Sequence, residues 1–525
     1  MTTDTYSISG GDYEKAGYAA GRLKEKLKRI GVEKDIVRRA VIAAYEAEMN
    51  VVIHARKGTF QVMLDTDRVD VQVKDEGPGI ADIDLAMQEG FSTAPAAARE
   101  LGFGAGMGLP NIRKNSDLFT IDSTLGQGTT VTFAIHLAPL AAYVPSGTSV
   151  RITAASCREC LSCLRVCPTH AVRARDGGPR ILEHLCIDCG LCIGSCVTGA
   201  LTMAGRDGLP ESSKETVLIV PSPFLFQFGS QIGPAEVLDA LAEIGFPDVR
   251  VTGEWEDALR EAVIKFAREE AAAKPVFSPV CPAVVNLIQM RFPSLLTNVA
   301  PFLSPVEAMC RELAGNRRTV VLAVCPSQRT AIMSAGAAAE SNVIAPSMLR
   351  QALSPILSAG DRSTVARSPE SYEPQRQGEE TVLLVSGMKH VIAVLEKAEN
   401  GLLGGIDIIE PYACEQGCFG SPLLSEDPFI ARCRRTEAPS TREKLAKAIR
   451  RTEPLSPRAG MRLDENMAEA IEKLAKIDAM AKSLPGKDCA RCGAPTCSAF
   501  AEDVVLGRAA KDLCEYLGNH EEQAT

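Results

Sequence analysis

Two cysteine runs, CRECLSCLRVCP at residues 157–168 and CIDCGLCIGSCV at 186–197, repeat the spacing C-x2-C-x2-C-x3-C, and their first members lie 29 residues apart. Cysteines three apart on a turn can aim both sulfurs at one inorganic cluster, and a zinc ribbon would need only four. In paired runs of this kind the fourth cysteine of each run ligates the other run's cluster. The spacing therefore predicts Cys157, Cys160, Cys163 and Cys196 around one [4Fe–4S] cluster, and Cys167, Cys186, Cys189 and Cys192 around a second.

Over residues 150–205 the pattern resembles the bacterial two-cluster ferredoxin domain. The chain around it has 525 residues, enough for about three or four domains at ~150 residues each. Lys plus Arg number 57 against 66 Asp plus Glu, a net charge of −9, so neither nucleic acid nor an acidic membrane surface is an expected partner. The opening MTTDTYSISGG has no basic or apolar leader character. No apolar run approaches the ~18–20 residues that span a bilayer. A cytoplasmic protein is expected. Its 18 cysteines are then poor candidates for disulfides and better ones for cluster ligands, as in an anaerobic host.

N-terminal to the runs, residues 1–140 read as a nucleotide-binding domain. A helix is expected over Glu33–Ala55, with Glu46 and Asn50 four apart on one face. Alternating strands follow at Phe60–Leu64, Val69–Lys74 and Thr129–Leu137. Between them lie Asp75-x-Gly77-x-Gly79 and a glycine-rich run with Gly102, Gly104, Gly106 and Gly108. A carboxylate can serve as a base, an amide oxygen can hold Mg²⁺, and glycines let backbone amides approach phosphates. In this order the segments resemble the GHKL ATPase superfamily, and YEAEMNVVIHA and FGAGMGLPNIRK in particular resemble its anti-sigma-factor and switch-type serine kinases. The resemblance implies ATP and Mg²⁺ as ligands, Glu46 as catalytic base, Asn50 as metal ligand and Asp75 as adenine contact. It also implies helices layered on a mixed sheet, a STAS-domain or sigma-factor-type partner, and homodimerisation.

C-terminal to the runs, residues 215–435 alternate buried-type strands (Val217–Val220, Val320–Val324, Val382–Val385) with helices. Cysteines stand at strand ends in Cys281-Pro282, Cys325-Pro326 and Cys414-Glu415-Gln416-Gly417-Cys418. Together with Val220-Pro221-Ser222-Pro223 and Glu410-Pro411-Tyr412-Ala413, these segments resemble, in order, the catalytic domain of [FeFe] hydrogenases. The resemblance implies Cys281, Cys325, Cys414 and Cys418 as the cubane ligands of an H-cluster. Two departures weigh against catalysis. Val280 stands where the family has a proton-relaying cysteine, and Gln328 where it has a lysine facing the diiron unit. A positioned relay contributes ~10²–10⁴-fold, so rapid H₂ turnover is not expected, and whether a diiron subcluster is bound stays open. A polar insertion, 360–378, reads as a loop.

The last part, 465–525, reads as a helix over Asn466–Leu484 followed by Cys489-x2-Cys492-x4-Cys497-x16-Cys514. This resembles the small helical [4Fe–4S] domain of electron-transfer and corrinoid-enzyme proteins, with zinc as the alternative. Cys310 and Cys433 remain, both read as structural. The expected fold is thus multidomain α/β: a GHKL α/β sandwich, a two-cluster ferredoxin domain, an [FeFe] hydrogenase-like α/β domain and a small helical cluster domain. The expected function is a redox or H₂ sensor coupled to an ATP-binding kinase domain. The alternative is an electron-transfer subunit, or weakly active hydrogenase, docked to hydrogenase or ferredoxin-linked redox subunits, with the GHKL domain as a nucleotide-gated docking module.

Overall fold

The computed structural model describes residues 2–95, 98, 104, 106–139, 147–175, 177–205, 208–211, 215–229, 231–269, 273–313, 318–336, 342–359, 380–437, 448–458 and 460–517. Gly102 and the insertion 360–378 lie outside them. The chain packs as two compact units: residues 1–142, 461–487 and 496–525 in the first, and 143–460 with 488–495 in the second. Among the described residues no helix is long and apolar enough to cross a membrane.

The first unit is built on strand β1 (Thr2–Ser9), helices α1 (Tyr18–Arg29) and α2 (Lys34–His54), strands β2 (Lys57–Leu64) and β3 (Arg68–Asp75), helices α3 (Ile83–Ala86) and α4 (Gly108–Asn115), and strands β4 (Leu118–Thr124) and β5 (Gly128–His136). Apolar side chains alternate along the strands: Phe60, Val62 and Leu64, then Val69, Val71 and Val73, then Val131, Phe133 and Ile135, all buried. They meet the apolar stripe of α2, which includes Val37, Ala40, Val41, Ala44, Ala47 and Val51. Glu33 caps α2, its carboxylate accepting from the Asp35 and Ile36 amides at 3.0 and 3.4 Å.

The strand order is β1-β2-β3-β5-β4, and every pairing is antiparallel. The expected mixed sheet is therefore corrected. The helical return after β3 restarts the chain at the sheet edge. The tight turn at Gly126-Gln127-Gly128 then folds β5 inward between β4 and β3, antiparallel to both.

α1 starts without a cap of its own at Gly17. Its free amides are met from α2, where the buried Glu48 carboxylate accepts from Ala19 N at 3.2 Å and Ala20 N at 3.0 Å. The helices Met467–Ser483 and Cys497–Val505 complete this unit. Asp478 on the first reaches Lys26 of α1 at 2.5 Å, and Asp4 of β1 reaches the same buried ammonium at 2.7 Å. Glu502 on the second pairs with Arg29 at 2.8 Å.

The second unit opens with two symmetric pieces. Hairpin Val172–Arg175 with Gly178–Ile181, and pair Val150–Ile152 with Leu201–Met203, flank the short helices Ser162–Val166 and Leu191–Gly194. Beyond them stand two parallel sheets. In one, the strands run in the order Asp248–Val251, Val217–Val220, Thr319–Leu322, Val343–Ile344; in the other, Val276–Phe277, Ile408–Tyr412, Val382–Ser386. The first two expected strands are buried. The third, Val382–Ser386, is an edge strand with Val382 and Leu384 exposed at 41% and 40%, because it has a neighbour on one side only.

Burial raises the Glu48 carboxyl above its ordinary 4.5, against the backbone amides that lower it. Its contribution to stability is then fully present below about 4.5 and falls as pH rises through the folded value. Glu48→Gln should remove that slope in denaturant unfolding followed over pH. Glu48→Ala, which strands buried amides, should cost about 1–3 kcal/mol.

Candidate functional site

In the first unit, α2 sets Glu46 and Asn50 one turn apart, facing the start of α4. A Cβ on Gly108 would lie 3.0 Å from Asn50 Oδ1 and 3.4 Å from Glu46 Oε2, so only a glycine leaves that corner open. Asn111 Nδ2 donates to Glu46 Oε1 at 2.7 Å and fixes the carboxylate. Asp75, ending β3, accepts from Gly77 N at 2.7 Å and Thr129 N at 3.2 Å through one oxygen. Burial raises its carboxyl, while those amides and His54 oppose the rise. Gly79, Gly104 and Gly106 have φ of 74°, 78° and 75°. A side chain at Gly79 would strike the Thr124 carbonyl at 2.3 Å. Glu46, Asn50, Asp75, Gly77 and Gly108 thus gather on the elements around α2 and β3. Asn111 and Thr129 join them; Asn111 stands in the quoted FGAGMGLPNIRK stretch but was not singled out.

The eight thiols of residues 157–196 fall into two groups. Burial raises the Cys163 thiol, and Cys160, Cys157 and Cys196 add to the rise. Burial pushes Cys186 up to about 12, with Asp188 and Cys167 adding to it. Cys189 is also raised by burial first and then by Cys167, Cys192 and Cys186. Each fourth cysteine therefore stands with the other run. Iron bound there would take these sulfurs as thiolates. Backbone amides are already turned to sulfur, Glu159 N to Cys157 Sγ at 3.3 Å and Ala171 N to Cys167 Sγ at 3.2 Å. Among the described residues no three His, Cys, Asp or Glu side chains close around a single metal ion.

Sequence reading passed over the buried charges beside the second run. Asp188 accepts from Thr148 Oγ1 at 2.7 Å, Ser149 N at 3.0 Å and Thr330 Oγ1 at 2.6 Å. Arg458, also buried, donates to the Cys186 carbonyl at 3.0 Å.

In the parallel sheets, Cys281 and Cys325 are the cap residues of helices Pro282–Arg291 and Pro326–Ser334, each with proline at the first helical position. Both stand at the carboxyl ends of parallel strands, the edge at which such sheets place their sites. Cys414 and Cys418 follow strand Ile408–Tyr412. Burial raises all four thiols, Cys325 to about 11, and Cys418 is raised further by Cys281, Cys325, Cys414 and Glu256 in turn. Cys281, Cys325 and Cys414 thus all lie close enough to Cys418 to act on its thiol. Cys310 is buried in the core and Cys433 is exposed.

Of the last motif, Cys489 and Cys492 lie in the second unit. There Ala490 packs with Leu164, Val172 and Leu201, and Ala174 N donates to the Gly493 carbonyl at 2.9 Å. Gly493 has φ 74°, and a side chain on it would meet the Ala174 carbonyl at 2.0 Å. Cys497, in the first unit, is the first residue of helix Cys497–Val505, capped by Thr496. Cys514 follows a short turn in the same unit.

Residues 35–139 match the histidine kinase-, DNA gyrase B- and HSP90-like ATPase family. Over 97 residues the chain is 33% identical to the serine/threonine-protein kinase RsbT of Bacillus subtilis, which covers 18% of this chain and 67% of that kinase. The chain belongs to the GHKL ATPases. Its ATPase domain is also 33% identical over 107 residues to an anti-sigma F factor of Heyndrickxia coagulans, covering 20% of this chain and 67% of that protein. Residues 214–326 match the C-terminal domain of the iron only hydrogenase large subunit, and residues 484–516 match an Fe-S cluster family. A corrinoid/iron-sulfur protein large subunit of Moorella thermoacetica is 44% identical over 43 residues, 8% of this chain and only 10% of that protein. [FeFe]-hydrogenase HydA1 from Chlamydomonas reinhardtii overlaps 50% of this chain and 89% of its own at 15% identity; its TM-score of 0.34 is too low to bear on the fold.

Asp75→Ala removes the acceptor that holds the Gly77 and Thr129 amides. Calorimetric titration with ATP should show affinity about 10–100-fold weaker, matching ~1.5–3 kcal/mol for hydrogen bonds to a charged group.

Proposed function

We propose that this chain is a redox- or H₂-responsive regulator in which an iron–sulfur module biases an ATP-dependent serine kinase domain. The observation that carries this reading lies within the ATPase unit. Cys497 of the cysteine motif opens a helix whose Glu502 grips Arg29, and the preceding helix grips Lys26 through Asp478. Both cations sit on α1, whose first amides hang on Glu48. Glu48 is two residues from Glu46 and from Asn50 on the same rigid helix. A shift of helix Cys497–Val505, or of the cysteine-free helix Met467–Ser483 before it, therefore bears on α1, and through Glu48 on the turn of α2 that carries Glu46 and Asn50.

On this reading Glu46, oriented by Asn111, accepts the proton from a partner serine as its oxygen attacks the γ-phosphate of ATP. Asn50 would hold Mg²⁺, Asp75 would receive the adenine amino group, and the glycine-rich run would approach the phosphates. The partner on this reading is a STAS-domain or sigma-factor-type regulator, as the family resemblance implies. The ligand sets are the two crossed groups of residues 157–196 and the group Cys281, Cys325, Cys414 and Cys418. Bound [4Fe–4S] clusters would supply reversible one-electron storage. Cys160 is exposed, so an external ferredoxin-type donor has its nearest approach at the first run.

Reciprocal coupling is the test. ATP affinity and phosphoryl transfer should differ between air-free oxidised and dithionite-reduced protein, and ATP should shift the cluster midpoint potential by the corresponding amount. Identical values in every redox state, and under H₂, would defeat the proposal. Lys26→Met leaves Asp4 and Asp478 facing each other and should cost about 3–5 kcal/mol of stability, as breaking a buried pair does. The triple variant Asp4→Asn, Lys26→Met, Asp478→Asn should regain most of that stability yet show a smaller redox effect on ATP affinity.

A further inference from the structure

The space beside Cys418 is where the hydrogenase resemblance would seat a diiron unit. In this chain side chains are built into it. The cavity there has a volume of about 50 Å³. An apolar cavity of about 150 Å³ is what benzene, with its six heavy atoms, requires. A diiron unit with its carbonyls, cyanides and bridging dithiolate has more than twice as many heavy atoms.

The obstruction is specific. Arg260 clamps Glu410 with Nε at 3.0 Å and Nη2 at 2.8 Å, and Tyr412 donates its hydroxyl to the same carboxylate at 2.7 Å. The Tyr412 ring lies over the residue before Cys418, so that a Cβ on Gly417 would be 3.4 Å from it. On the other wall Arg435 holds Glu256 at 2.9 Å, and Thr252 donates to Glu256 at 3.0 Å. Gln328 is pinned by its own carbonyl, which accepts from Val324 N at 3.0 Å, and its amide nitrogen stands 4.0 Å from Cys418 Sγ. Glu410 is buried and held by both Arg260 and Tyr412, so moving either aside leaves its carboxylate short of a partner.

We propose that Cys281, Cys325, Cys414 and Cys418 hold a cubane alone, with Tyr412 and the Arg260–Glu410 and Arg435–Glu256 pairs filling the diiron position. The inference rests on reading those four cysteines as cubane ligands, and it narrows the proposed function: the centre stores electrons and does not bind or split H₂. The chain then registers the redox state of its surroundings, and H₂ only through a separate hydrogenase that feeds electrons in.

The test uses full-length protein reconstituted anaerobically with iron and sulfide. It is incubated with a synthetic diiron azadithiolate complex, desalted, and read by infrared and electron paramagnetic resonance. The expected result is no CO or CN⁻ stretching band retained on the protein, and a cubane signal unchanged by H₂. Bands that survive desalting and vanish in Cys418→Ser would overturn the proposal. Val280→Cys/Gln328→Lys restores both family side chains and should still take up nothing; bands in that variant alone would overturn the role given to Tyr412 and the ion pairs. Cys325→Ser should lose the corresponding cubane signal. If it keeps the full signal, the ligand reading itself falls, an outcome distinct from diiron uptake.

Discussion

Sulfurs that hold a cluster need amide donors pointing at them, and the backbone of this protein bends into left-handed turns beside several of its cysteine motifs, though not beside Cys281 or Cys325. Glu159, Leu161, His170, Asp188, Gln416, Asp488 and Ala490 are the non-glycine residues with left-handed φ among those described, between 44° and 63°. Every one lies within three residues of a motif cysteine. An L-residue in that region costs roughly 1–2 kcal/mol, a strain that persists only where surrounding structure compels it. Successive amides in such turns form a concave donor nest suited to an anionic cluster. The strain recurs at residues 157–196, at Gln416 beside Cys418, and at Asp488 and Ala490 beside Cys489. One local conformation thus marks motifs from three parts of the chain.

How much of this was legible in the sequence depended on how local the cause was. Cysteine spacing is local, so the two repeated runs at 157–167 and 186–196 could be read directly. Strand alternation and the face shared by Glu46 and Asn50 are equally local. The antiparallel sheet was missed because pairing depends on where a returning chain inserts, which no single strand encodes. Val382–Val385 reads as buried because its composition matches a central strand, yet it lies at an edge. Glu48 reads as an ordinary helix charge, since nothing near it in sequence reveals the α1 amides it must satisfy. The filling of the space beside Cys418 was half visible. Val280 and Gln328 announce the departure, but the obstruction comes from Tyr412, Glu410 and Arg260, brought together only by the fold.

The two chemistries in this chain make opposite demands on their surroundings. The nucleotide corner must stay open, and it does so through residues that lack side chains, Gly79 and Gly108 above all. The cysteine positions are closed, and burial raises the Cys189, Cys281, Cys414 and Cys418 thiols above their ordinary range. Iron binding there must release those protons, so cluster loading should favour folding and chelation oppose it.

The buried ammonium of Lys26 waits for a carboxylate 452 residues later in the chain. At ~5–20 residues per second, a ribosome needs roughly 20–90 s to deliver Asp478 after Lys26 has emerged. Through that interval the nucleotide-binding domain exists without the helices that complete its own unit. The order of synthesis therefore acts as a proofreading step: a truncated chain that never makes its last cysteine motif also never finishes its ATPase.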